Sequence, residues 1–141
     1  MEETVLRLKN LSTHFYTPRG IVKAVNGISF QVKRGQVLGL VGESGCGKSV
    51  TSLSILRLVP PPGKIAGGEI RLDGKNLLQL SKEEMRRNRG KEISMIFQDP
   101  MTSFNPVRSI GRQFIETFLA HREVTKEEAR NRAVEMLAKV G

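Results

Sequence analysis

Three observations in this chain of 141 residues predict an α/β fold. Residues 37–41 and 93–97 are short apolar runs with the length of buried parallel strands. A glycine-rich segment follows the first run. Behind it Val50, Leu53 and Leu56 recur at the spacing of a helix face. Between these, residues 28–32 alternate apolar and polar side chains as a half-buried strand does.

Taken in order, Val5, Leu6, Leu8 and Leu11 form a first strand over residues 4–11. Residues 14–20 read as its end and a turn, with Pro18 and Gly20 as punctuation. Residues 33–36 turn the chain from the second strand into the third. After the helix that begins near Ser49, Pro60, Pro61 and Pro62 prevent continuation, because proline lacks the donor and restricts its predecessor. Residues 67–74 form a strand closed by an Asp73-Gly74 turn. Ser81 with Glu84 and Thr125 with Glu128 are capping boxes, and each opens a helix. The second of these helices aligns Ala129, Ala133, Met136, Leu137 and Val140 on one face.

Composition narrows the classes. With 38% hydrophobic and 26% charged residues the chain is an ordinary globular domain rather than a disordered one. No apolar run approaches the ~20 residues that cross a bilayer. The start, Met1-Glu2-Glu3-Thr4, is acidic and unlike a secretory signal. Cys46 is the sole cysteine, so no internal disulfide forms, which fits a reducing compartment. The net charge of +9 has its densest cluster in residues 82–91. Glutamates interrupt that cluster and it contains no aromatic residue, so it reads as a solvated helix face rather than a nucleic-acid site.

The glycine-rich segment fits G-x-x-x-x-G-K-[ST] with Gly42, Glu43, Ser44, Gly45, Cys46, Gly47, Lys48 and Ser49. Strand, loop and helix in that order suit the motif. Gly42, Gly45 and Gly47 are expected to adopt positive φ and curl the backbone so that several N–H groups face one anion. The helix adds the positive end of its dipole. Lys48 is expected on the β- and γ-phosphates of a nucleotide, and Ser49 on Mg²⁺.

With these residues in place the chain resembles the ATP-binding subunit of ABC transporters. Residues 24–30 leading into the P-loop, residues 67–74, and residues 96–106 carry the likeness. The last block is similar to the dipeptide and oligopeptide importer branch, which includes nickel importers. The resemblance implies a P-loop nucleotide hydrolase fold with an N-terminal antiparallel β region and the start of a helical subdomain. The ATP-binding core would cover residues 1–98 and the helical part residues 99–141. ATP and Mg²⁺ are the implied ligands. Gln98 would reach Mg²⁺ and the attacking water. Phe15 aligns with the aromatic that stacks on adenine, and Tyr16 competes with it. Residues 101–107, with Phe104 as an apolar anchor, would dock on a transmembrane permease. A second ATP-binding subunit would complete a dimer on the cytoplasmic face of the membrane, with no nucleic acid as partner.

The signature motif, the Walker B aspartate, the catalytic glutamate and the switch histidine of that family are absent from the chain, and His14 and His121 do not occupy the switch position. Hydrolysis by this chain alone is therefore expected to be deficient, and its stability marginal. The competing expectations are a nickel or other solute importer subunit, a soluble P-loop ATPase acting on nucleic acid, and an inactive truncated product.

Overall fold

A computed structural model describes residues 3–99 and 103–141. The chain forms two compact units, residues 1–85 and 86–141, whereas the sequence reading sets its boundary after Gln98.

The first unit is built on four antiparallel strands: β1 (Thr4–Thr17), β2 (Gly20–Lys33), β3 (Gly63–Leu72) and β4 (Lys75–Asn76), in the order β2-β1-β3-β4. β1 and β2 run well beyond the stretches that alternate cleanly in the sequence. They meet at a tight turn over Pro18 and Arg19, closed where the Thr17 hydroxyl donates to the Gly20 carbonyl oxygen at 2.8 Å. Irregular pairing hides their full length from a pattern search. Leu8 and Leu11 are both buried although their numbers differ by three. Between them Asn10 adopts φ +50° beside a register shift, a bulge that moves the inward parity by one residue. Gly68, at φ +98°, makes room for it, since a Cβ there would lie 2.5 Å from the Asn10 carbonyl oxygen.

Helix α1 (Lys48–Ile55) packs on the inner face of this sheet. Thr13 and Ser54 are both buried, with their hydroxyl oxygens 2.7 Å apart. Ser54 also donates to the Val50 carbonyl oxygen at 2.6 Å. Its single hydrogen is thereby used, so Thr13 is the donor across the contact. Beyond α1, Arg57 at φ +53° donates to the carbonyl oxygens of Leu77 and Leu80. This fastens the helix end to the segment after β4. The expected Asp73-Gly74 turn is present, with both residues at positive φ.

Two expectations fail together. Neither residues 37–41 nor residues 93–97 form a strand; the second run contributes one isolated bridge, Arg89 to Ile93. Val37 is 95%, Val41 97% and Ile96 91% exposed. A strand requires a neighbour to take its backbone N–H and C=O groups. Among the described residues these two runs have no ladder partner.

Helix α2 (Lys82–Asn88) begins at the predicted box: Ser81 N–H donates to Glu84 Oε2 at 2.7 Å, and Glu84 N–H to Ser81 Oγ at 3.2 Å. In the second unit, α3 (Ile110–His121) and α4 (Lys126–Val140) pack on each other. The Thr125–Glu128 box is complete. Ala129 and Ala133 are buried, but Met136, Leu137 and Val140 on the same predicted stripe remain exposed. Among the described residues α4 has α3 as its one substantial helical neighbour, which covers part of the stripe.

The contact between Thr13 and Ser54 gives a direct test. Ser54→Ala leaves the Thr13 hydroxyl buried without an acceptor, a cost of about 1–3 kcal/mol. Urea denaturation is expected to show that loss. Thr13→Val added to it is expected to recover part of the stability, because both polar groups are then gone.

Candidate functional site

The chain enters the site through residues 37–41 and turns at Ser44 and Gly45, where the Cys46 N–H donates to the Glu43 carbonyl oxygen at 3.3 Å. Gly45 at φ +81° and Gly47 at φ +95° supply the left-handed backbone. The expectation of positive φ at Gly42 is corrected: its φ is not positive, and it is small for want of space. A Cβ on Gly42 would lie 2.5 Å from Cys46 Sγ. Gly47 has both reasons at once. It is the N-cap of α1, and a Cβ on it would collide with the carbonyl oxygen of Ala24 on β2.

No side chain caps α1, and its first turn holds no acidic residue. The first-turn N–H groups of the helix therefore have neither an intrahelical acceptor nor a side-chain cap. They open beside the left-handed glycines, which is the arrangement that receives an anion. Lys48 folds back over the loop. Its Nζ donates to the carbonyl oxygens of Gly42 at 2.6 Å and Glu43 at 2.7 Å, with Cys46 Sγ 3.3 Å away. The ammonium is thus fixed across the loop by the loop's own backbone. Ser49, the next residue, is exposed at the second helical position. An exposed hydroxyl, an ammonium and backbone donors form a set suited to a nucleotide with Mg²⁺, in which phosphate and water complete the metal's oxygen shell. Among the described residues no group of three or more His, Cys, Asp or Glu side chains offers a protein-only metal cage.

The two aromatic candidates stand on opposite faces of β1. Thr13 contacts α1, so Phe15, two residues on, shares the face that carries the helix. Its ring packs over Gly63, where a Cβ would lie 2.7 Å from Phe15 Cε1. Tyr16 shares the other face with His14, their rings 6.4 Å apart.

Gln98 lies in the second unit, exposed on an irregular segment after Phe97. Of the proposed docking segment, Met101 and Thr102 lie outside the described residues, as does Pro100 before them. Phe104 stacks on Phe114 with ring centroids 6.4 Å apart. Gln113 braces the segment: its Oε1 accepts from the Asn105 N–H at 2.9 Å, and its Nε2 donates to the Asn105 and Arg108 carbonyl oxygens. A cavity of about 480 Å³ lies against these residues, lined also by Phe118, His121 and Met136. The sequence reading missed the Gln113 brace. Its spacing from Asn105 carries no local signal, because the contact depends on how the segment folds back on α3.

Loop, uncapped helix and lysine define a P-loop protein. Residues 25–141 match the ABC transporter family, and the chain belongs to it. It is 52% identical over 136 residues to a probable peptide ABC transporter ATP-binding protein, y4tR, of Sinorhizobium fredii, covering 96% of this chain and 41% of that one. It is 50% identical over 138 residues to the oligopeptide transport ATP-binding protein OppD of Bacillus subtilis, covering 97% of this chain and 38% of that one. The chain therefore spans about two fifths of the length of these relatives. Its fold matches a solved dimeric bacterial ABC transporter cassette, MJ0796, with a TM-score of 0.79 at 25% identity, over 94% of this chain and 56% of that one. A post-hydrolysis form of that cassette, bound to ADP and Pi, gives a TM-score of 0.76 at 24% identity.

Gly47→Ala tests the geometry of the loop. The added methyl meets the Ala24 carbonyl oxygen at a positive φ, so nucleotide affinity is expected to fall by at least tenfold. Fluorescence titration with an ATP analogue measures the affinity. The thermal midpoint is expected to drop as well.

Proposed function

We propose that this chain is the nucleotide-binding portion of an ABC importer subunit that powers peptide uptake. The observation that carries the reading is the Lys48 ammonium clasped by two loop carbonyls beside the uncapped end of α1. The backbone donors of Gly45, Gly47 and α1 bind the phosphates. Lys48 turns from the carbonyls toward the β- and γ-phosphates, and Ser49 orients the metal. Mg²⁺, when bound, neutralises charge on the phosphate oxygens. Phe15, on the helix-bearing face, is the better placed aromatic for adenine. Gln98 has the amide chemistry to bind metal through its oxygen and to orient the attacking water by donating from its nitrogen. None of these residues is a base for the attacking water, so ATP binds here without rapid turnover by this chain alone.

Peptide as the transported class follows from the names of the relatives. The partners are a transmembrane permease, docked through residues 101–107, and a second ATP-binding subunit, as in the dimeric cassette. The working location is the cytoplasmic membrane surface. No helix among the described residues is long and apolar enough to cross a membrane.

Equilibrium binding of a fluorescent ATP analogue with Mg²⁺ tests the reading. Saturable binding, weakened at least tenfold by Lys48→Ala, is expected. Binding unchanged by that substitution, or no binding, would contradict it.

A further inference from the structure

Residues 4–33, which form the β1–β2 hairpin, contain five Lys and Arg residues and no Asp or Glu. The register sets several of them side by side. His14 pairs with Lys23 on β2 and with Lys64 on β3, so the three share one face. Tyr16 pairs with Ile21 on that same face, two residues toward the turn. Arg7 and Lys9 alternate with buried Leu8, and His14 and Tyr16 alternate with buried Thr13. All four therefore stand on the side away from the core.

Charge on this face is poorly compensated. Glu69 is bound to Arg71 at 2.6 Å. The Arg71 hydrogen bond holds its carboxyl below the usual range, with the charges of Arg71, Lys9 and Arg7 acting in the same direction. No carboxylate forms an ion pair with Arg7, Lys9, Lys23 or Lys64 among the described residues. The hairpin end is also apolar. Tyr16 is 45%, Ile21 58% and Val22 56% exposed, and the Lys64 ammonium lies 6.0 Å from the Tyr16 ring centre.

We propose that this end of the β1–β2 hairpin docks on an anionic phospholipid surface. Tyr16 and Ile21 enter the headgroup layer, and Lys23, Lys64 and Arg19 lie against the phosphates. Aliphatic side chains among cations suit a bilayer interface, where tyrosine is also favoured. Single-stranded nucleic acid is instead held by successive stacking aromatics, and Tyr16 is the one aromatic exposed at this end. The inference needs no nucleotide and stands independently of the P-loop.

Sedimentation of the full chain with vesicles tests it. Vesicles of phosphatidylcholine with about 30% phosphatidylglycerol, which supplies the negative surface potential that attracts cationic segments, are compared with phosphatidylcholine alone. Binding to the anionic vesicles that weakens with salt is expected. Each cation near such a surface strengthens binding by about fivefold. Lys23→Glu with Lys64→Glu is therefore expected to lower the apparent affinity by roughly twentyfold or more. Arg130→Glu with Lys139→Glu on α4, in the other unit, makes the same change in net charge without touching the hairpin's own residues and is expected to cost less than about threefold. Lys23 and Lys64 are both exposed, and a Gln pair replaces the Glu pair if the latter fails to fold. Equal binding to neutral vesicles, equal losses in the two charge pairs, or retention only of an RNA oligonucleotide would each overturn the proposal.

Discussion

The close approach of Gly47 to the backbone of Ala24 is the contact on which the proposed phosphate site depends. It brings the loop against β2, and the left-handed turn it demands starts α1 with its N–H groups open. Only glycine meets both conditions, since a Cβ would strike the carbonyl oxygen and resist the positive φ. The Thr13–Ser54 contact then holds the helix on the sheet from below. Lys48 closes the loop from above by binding two of its carbonyls. Sheet, helix and loop are thus coupled through few contacts, and disturbing any of them moves the donors.

The two exposed apolar runs have a different physical origin. Residues 37–41 and 93–97 have the composition of interior strands and the surroundings of surface loops. Strand formation belongs to a pair of segments rather than to one, and neither run has such a pair among the described residues. Val37, Val41 and Ile96 consequently direct apolar surface into solvent. Large exposed apolar surface favours association.

The starts of α2 and α4 were legible in the sequence because their signals are local, whereas α3, capped by Ser109, was not read. The boxes at Ser81 and Thr125 lie within four residues, and both form as expected. The Asp73-Gly74 turn is local in the same sense. The P-loop was legible because its chemistry is encoded in consecutive residues. The full extent of β1 and β2 was not, because the bulge at Asn10 breaks the alternation a reader follows. The role of Gly42 was misjudged, since a requirement for space and one for positive φ look alike in sequence. The separate faces of Phe15 and Tyr16 needed the contact between Thr13 and Ser54 to fix which side of β1 carries the helix.

The central claim is that backbone donors at the start of α1 receive phosphate. Amide chemical shifts of the isotopically labelled chain test it most directly, recorded during titration with pyrophosphate, ATP and adenosine. The account predicts that pyrophosphate and ATP move the Gly45, Gly47 and Lys48 amides strongly, and that adenosine leaves them in place. Shifts confined to other residues, or equal responses to adenosine and pyrophosphate, would contradict it.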